Sequence, residues 1–261
     1  MYLETSTARI NYETHGMEGS WVTLVNGHTR SLRDFKMFTK KLVLSGFRVL
    51  LIDNRGAGDS QANFPFTLED MAQDVIDIWD ELNIDRSSLL GISMGGMISQ
   101  IAASEQAQRV TSLVLISTSA DNKYLSDIAN EEWGTTLESI EKKLSYYFEQ
   151  DFYIKNKLLV KSMAKVMLKK QEDGFDEGAY LQRQAISQST LDGIQNNIKC
   201  PVLIMHGESD NIIGVEAAKD LGKLIEDSTV EVYKKIGHLL IAEAPQQTYT
   251  NSINFFLKHG H

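Results

Sequence analysis

The chain has 261 residues, of which 42% are hydrophobic, 23% charged and 8% aromatic; this is enough for a large core without a covalent staple. Its 26 basic and 35 acidic residues leave a net charge of −9, a balance that repels phosphate backbones and speaks against nucleic acid as a partner. A single cysteine, Cys200, excludes an internal disulfide framework and a cysteine-based zinc site.

Residues 1–10 hold no basic segment followed by an apolar run, so no secretory signal is expected there. Residues 1–13 read as an antiparallel hairpin at a sheet edge. From there on, short β-branched runs alternate with amphipathic stretches. The runs lie at residues 21–25, 48–52, 88–92, 111–117, 201–206 and 229–233, and they are almost continuously apolar. That is the pattern of parallel strands covered by helices on both faces. Helical periodicity occupies residues 32–44, 68–82, 94–105, 215–225 and 245–257. In the second of these, Leu68, Met71, Ala72, Val75, Ile78, Trp79 and Leu82 recur at spacings of three and four, which predicts one apolar stripe against the sheet. Thr67, three residues before Asp70, is placed to cap it. The alternation predicts an α/β fold with a mostly parallel, doubly wound sheet, built from residues 1–120 and 199–261.

Residues 121–198 interrupt that alternation. They hold no strand pattern and read as several helices, with turns near Gly134, Gly174 and Gly178 and many aromatics, among them Trp133, Tyr147, Phe148 and Phe152. Ligands of open α/β sheets bind beyond the carboxyl ends of the strands. A helical excursion between two such strands therefore predicts a cap, or lid, over a site. No stretch of the chain approaches the ~20 apolar residues that span a bilayer, so a cytoplasmic protein without stable membrane insertion is expected.

Between the run ending at Ile92 and the next helical pattern stands Gly91-Ile92-Ser93-Met94-Gly95, a G-x-S-x-G arrangement. A strand that turns into a helix within one or two residues forces the serine into a strained backbone conformation and projects its oxygen at the sheet edge, with small residues on either side. The helix start adds free N–H groups and a positive dipole end. A serine hydroxyl needs a base to become a nucleophile. Asp210 follows the run at 201–206 and His238 follows the run at 229–233, in the order serine, acid, histidine. Ser93, His238 and Asp210 are thus the candidate nucleophile, base and orienting acid. Asp121 is a rival acid and His206 a rival base, the latter also readable as a buttress of its turn. The Met94 N–H and, after Asn26-Gly27, the His28 N–H are the candidate oxyanion donors. His28, His206 and His238 lie in no H-x-x-x-H or paired-carboxylate spacing, so no metal is expected. No G-x-G-x-x-G or P-loop pattern calls for a nucleotide cofactor.

These residues resemble the α/β-hydrolase superfamily over the sheet, about two thirds of the chain. Asp53-Asn54-Arg55-Gly56-Ala57-Gly58-Asp59-Ser60 resembles its D-x-R-G-x-G-x-S loop, and Gly237-His238 with Glu243 and Pro245 resembles its G-H-x4-E-x-P ending. Within it, Gly91 to Met97 and Arg109-Val110 through Ser117 are most similar to 3-oxoadipate enol-lactonases and small carboxylesterases with a helical cap. Most members carry His-Gly where this chain has Asn26-Gly27, although enol-lactonase-like members can carry Asn.

The resemblance implies an α/β-hydrolase fold with an inserted cap and a cofactor-independent serine hydrolase. Its partner would be a small-molecule ester or lactone, cleaved through an acyl-enzyme. A homodimer is compatible with this reading. An imidazole base implies activity that falls as His238 takes up a proton, around pH 6–7. Two alternatives stay open: a carbon–carbon bond hydrolase or perhydrolase on the same triad, and a small-molecule receptor with a vestigial triad. Lys157, Lys161, Lys165 and Lys169 form a stripe, with Leu159, Met163 and Val166 expected on the packed side of the same helix. The stripe reads either as a solvated face or as a cationic approach for an anionic substrate or an acidic lipid surface.

Overall fold

A computed structural model of the protein describes residues 1–62, 65–171 and 175–260, and the turn expected near Gly174 lies outside them. The strands are β1 (Tyr2–Glu4), β2 (Ala8–His15), β3 (Trp21–Val25), β4 (Arg48–Ile52), β5 (Gln61–Ala62), β6 (Ser87–Ile92), β7 (Val110–Ile116), β8 (Val202–Gly207) and β9 (Ser228–Tyr233). They form one sheet in the order β1-β2-β4-β3-β6-β7-β8-β9, with β5 against β2. β2 runs antiparallel to β1, β4 and β5, which is the expected edge hairpin, and every pair from β4 to β9 is parallel.

The core helices are α1 (Lys36–Leu44), α2 (Leu68–Glu81) and α3 (Met94–Glu105), and after the excursion between β7 and β8 the chain adds α9 (Glu216–Leu224), α10 (Leu240–Glu243) and α11 (Pro245–His259). The excursion itself holds α4 (Asp127–Asn130), α5 (Leu137–Ser145), α6 (Gln150–Lys155), α7 (Lys157–Gln171) and α8 (Phe175–Gln188). The periodic stretch at 32–44 is not one helix. Its first turn, Leu32–Phe35, is a 3-10 turn closed by a capping box between Ser31 and Asp34.

Each face of the sheet buries its own apolar layer. On one, Leu68, Met71, Ala72, Val75, Ile78 and Trp79 of α2 pack with α3 against the strands, as the stripe predicts. Thr67 caps α2 by accepting from the Asp70 N–H, and the Asp70 carboxylate accepts the Thr67 N–H at 2.8 Å. On the other face, Phe35, Phe38, Leu42, Tyr249 and Phe256 meet Val22, Leu24, Val49 and Leu51. Burying one such side chain contributes about 1.5–3 kcal/mol, so these two layers are what hold the strand ends in register.

The excursion has an apolar cluster of its own, built around Trp133, Ile140, Leu144, Phe148, Val160, Ala164 and Met167. Gly178 is not a turn residue. It lies within α8, where a Cβ would come within 2.1 Å of the Gly56 carbonyl oxygen, so its lack of a side chain lets α8 sit on the Gly56 loop. The Gln182 side chain, fully buried, joins the same contact: its amide donates to the Arg55 carbonyl at 2.7 Å and its oxygen accepts the Thr29 N–H at 2.7 Å. On α7 the lysines at 157, 161, 165 and 169 are exposed. The packed side differs from the expectation. Val160, Ala164 and Met167 are buried, whereas Leu159 and Val166 are 43% and 56% exposed, because α7 is rotated to aim its buried side at α5.

Arg55 and Asp74 form a buried bidentate pair, at 2.7 and 2.8 Å, that ties the Gly56 loop to α2. Removing one partner strands the other charge. Asp74→Ala is expected to lower stability by about 3–5 kcal/mol in denaturant unfolding, and the double variant Arg55→Met/Asp74→Leu to lose less than Asp74→Ala alone.

Candidate active site

Ser93 occupies the turn between β6 and α3 with φ 53° and ψ −120°, the strained geometry the motif predicts. Its neighbours explain the glycines. A Cβ on Gly91 would lie 2.2 Å from the Gly95 carbonyl oxygen, and one on Gly95 would lie 2.2 Å from the Val25 carbonyl oxygen. The turn is fixed on both sides: the Ser93 N–H donates to the Ile116 carbonyl at 2.9 Å, and Thr118 Oγ1 donates to the Ser93 carbonyl at 2.7 Å.

Three loops at the carboxyl edge of the sheet converge on that serine. His238, in the loop after β9, has Nε2 3.1 Å from Ser93 Oγ and Nδ1 2.7 Å from Asp210 Oδ2. Asp210, after β8, is buried, and its Oδ1 accepts the Ile212 and Ile213 N–H groups at 2.8 and 2.9 Å. Burial by itself raises an aspartic acid. Here it is outweighed by the His238 charge and by the donors of His206 and His238, which hold Asp210 well below the usual carboxylate range. The carboxylate is therefore ionised wherever the imidazole can work as a base.

The rivals have other partners. Asp121 follows β7 but caps the next turn through the Lys123 N–H and pairs with Lys123 Nζ at 3.0 Å. His206 is fully buried; its Nε2 lies 2.8 Å from the Ile213 carbonyl and 3.2 Å from Asp210 Oδ2. An N–H there donates to both, so His206 braces the Asp210 loop by reaching the same carboxylate oxygen that His238 meets, as the buttress reading has it.

The third loop follows β3. Asn26 shapes it: its side chain donates to the Ser31 carbonyl at 2.9 Å and accepts the Gly27 N–H at 2.8 Å. Gly27 lies so close to the serine that a Cβ would sit 3.2 Å from Ser93 Cβ. The N–H groups of His28 and Met94 find no backbone or side-chain acceptor among the described residues. Two unpaired donors beside Ser93 suit a developing oxyanion. The His28 ring is turned away, with Nε2 2.8 Å from the Ala179 carbonyl of α8, and burial lowers its pKa to about 4. It is a neutral donor that ties the loop after β3 to α8.

A cavity of about 330 Å³ opens beside Ser93 and His238. Its walls are mostly apolar, with Met97, Leu125, Trp133, Met163, Met167 and Ile213 among them. Tyr147, which joins the excursion to the His238 loop, carries no motif in the sequence. Its carbonyl accepts the His238 N–H at 2.8 Å, and its ring meets the imidazole edge-on at 5.4 Å and stacks on Trp133 at 5.6 Å. The aromatic richness of residues 121–198 was the only trace of it. Glu243 also bridges the two parts, accepting the Gly237 and Glu149 N–H groups at 3.0 Å each, while burial raises its pKa to about 7.

The family model described as serine aminopeptidase, S33 (Hydrolase_4) matches residues 19–245. Among curated relatives, 3-oxoadipate enol-lactonase 1 of Acinetobacter baylyi is 25% identical over 213 residues, covering 78% of this chain and 76% of that protein. A 2-hydroxy-6-oxo-2,4-heptadienoate hydrolase of Pseudomonas putida is 27% identical over 221 residues, covering 80% and 78%. The chain spans only 66% of the length of another P. putida relative, the dihydrolipoyllysine-residue acetyltransferase component of an acetoin cleaving system, at 27% identity. Among solved structures, the enol-lactonase from Burkholderia xenovorans LB400 superimposes with a TM-score of 0.86 at 22% identity, covering 98% of this chain and all of that one. No helix among the described residues is long and apolar enough to cross a membrane.

Asp210→Asn removes the carboxylate that meets His238 Nδ1 and, on the serine-hydrolase chemistry proposed below, is expected to lower kcat about 10⁴-fold in a hydrolysis assay. A second prediction concerns His28. Unfolded, it takes up a proton below about pH 6.5; folded, only near 4. Its contribution to stability is therefore complete above that upper value and is lost as the pH falls toward the lower. His28→Gln keeps an N–H donor for Ala179 without the titration, so its unfolding midpoint should fall less than the wild type's between pH 6.5 and 4.

Proposed function

This chain belongs to the serine aminopeptidase S33 family of α/β-fold hydrolases, and on that premise we propose that it is a serine hydrolase cleaving a small carboxylic ester or lactone. The observation that carries the reading is the unbroken hydrogen-bonded line Ser93 Oγ–His238 Nε2, His238 Nδ1–Asp210 Oδ2, at 3.1 and 2.7 Å. Ser93 Oγ attacks the ester carbonyl as His238 Nε2 takes its proton. The negative oxygen of the tetrahedral intermediate lies on the His28 and Met94 N–H groups. Collapse breaks the bond to the alcohol, which leaves with the proton from His238. Water, deprotonated by the same imidazole, then releases the carboxylic acid and restores Ser93. Asp210 holds the ring in place and offsets its charge while it is protonated. Residues 121–198 act as the lid that keeps bulk water from this cavity, through Trp133, Met163 and Met167.

A second reading, hydrolysis of a carbon–carbon bond in a vinylogous diketone, is favoured by the likeness to the heptadienoate hydrolase over 80% of the chain. Product analysis after incubation with an ester and with such a diketone separates the two. The test of the leading reading is a fluorophosphonate probe followed by peptide mass spectrometry. The expected result is one adduct on Ser93 in the wild type and none in Ser93→Ala. Labelling at another residue, or equal labelling of both proteins, overturns it.

A further inference from the structure

Among the described residues lining the cavity beside Ser93, one side chain carries a permanent positive charge, Arg30, and one a negative charge, Asp34. They neutralise each other. Arg30 Nε lies 2.9 Å from Asp34 Oδ2, four residues on in the turn after the oxyanion loop, and both are less than half exposed. The turn fixes Asp34 further, since its carboxylate also accepts the Ser31 N–H in the capping box. Two other cations lie behind the wall. Lys143 Nζ sits over the Trp133 ring and donates to the Glu131 carbonyl, and Arg183 reaches the same carbonyl at 3.1 Å. Neither contributes to the lining. The rest of the lining is apolar or uncharged apart from the imidazoles of His28 and His238, and burial keeps the His28 ring neutral.

Resting on the hydrolase reading above, we infer that this cavity selects esters uncharged on both the acyl and the alcohol side, and that Asp34 is the specificity-determining residue that makes it so by cancelling Arg30. A carboxylate carried into an apolar cavity loses its hydration and needs a partnered cation to replace it. Among the described lining residues the one permanent cation is already taken, by a carboxylate that belongs to the same turn. At about 330 Å³ the cavity lies at the small end of the range for small-molecule pockets, so a short or medium apolar chain fills it. The inference separates this chain from an enzyme for a lactone that carries a free carboxylate, the chemistry that the name of its 3-oxoadipate relative describes.

Two matched pairs of esters test it at one ionic strength: methyl hexanoate against monomethyl adipate, and pentyl acetate against 5-acetoxypentanoate. Each pair differs only in a terminal methyl or carboxylate, on the acyl side in the first and on the alcohol side in the second. The neutral member is expected to have at least a hundredfold higher kcat/KM in both. Asp34→Asn keeps the shape and the acceptor for Ser31 but frees Arg30. It should raise the share of the charged ester in at least one pair about tenfold, less at high salt, and Arg30→Gln/Asp34→Asn should abolish that gain. A charged ester cleaved as well as its neutral partner overturns the inference and leaves the hydrolase reading standing. An unchanged ratio in Asp34→Asn removes the role of Asp34. If no ester is turned over and the fluorophosphonate does not label Ser93, the hydrolase reading falls and the inference with it.

Discussion

The tight turn at Ser93 is the constraint on which the rest of the structure depends. A non-glycine residue at φ 53° costs on the order of 1–3 kcal/mol and persists only where its surroundings leave no alternative. Here they leave none. β6 lies between β3 and β7 in the sheet, and α3 starts at once and crosses so near β3 that Gly95 touches the Val25 carbonyl. The Ile116 carbonyl holds the serine N–H and the Thr118 hydroxyl holds its carbonyl. The strain is therefore borne by the two apolar layers that pin the strands, and the hydroxyl is presented at the sheet edge without any flexible segment to aim it.

Around that fixed oxygen the other groups are held by loops at the same edge, and each loop is braced by a partner of its own. Asp210 accepts two backbone N–H groups through one oxygen and two imidazoles through the other. Such a carboxylate has little freedom to rotate, so the ring it orients has little either. His238 is gripped a second time from above, where its N–H reaches the Tyr147 carbonyl. Hydrogen bonds to a charged group contribute about 1.5–3 kcal/mol each, so this cluster stabilises as well as aligns.

The segment between β7 and β8 joins the core at several places, through Ala185, Ile186 and Leu191 in the main apolar layer and through Gln195 on Gln100, and a further set of contacts lies around the cavity. Gln182 spans the Thr29 and Arg55 loops, Gly178 rests on Gly56, His28 donates to Ala179, and Glu243 joins the His238 loop to the start of α6. Most of these groups belong to loops that also carry a member of the site. The helices between β7 and β8 are thereby tied to the loop after β3 and to the His238 loop alike. The cavity is walled largely by methionine and branched aliphatic side chains, whose unbranched or flexible ends adapt to an apolar occupant.

The alternation of apolar runs and helical stripes determined the parallel sheet, because strands buried on both faces have no other sequence pattern open to them. The order Ser93, Asp210, His238 was likewise legible, since each follows a strand and the strands of such a sheet end along one edge. Gly91 and Gly95 announced the turn because only a missing side chain admits a carbonyl at 2.2 Å. The helices between β7 and β8 were a different matter. They show in the periodicity, but the side of α7 that faces inward differs from the one the sequence suggests. Leu159 and Val166 are as apolar as Val160 and Met167, and hydrophobicity alone cannot tell which of them meets α5. That His238 meets Asp210 and not Asp121, that Tyr147 meets His238, and that Arg30 pairs with Asp34 on the cavity wall were decided by the tertiary structure. A residue type and its spacing record what a side chain can do, whereas its partner depends on segments brought together from distant parts of the chain.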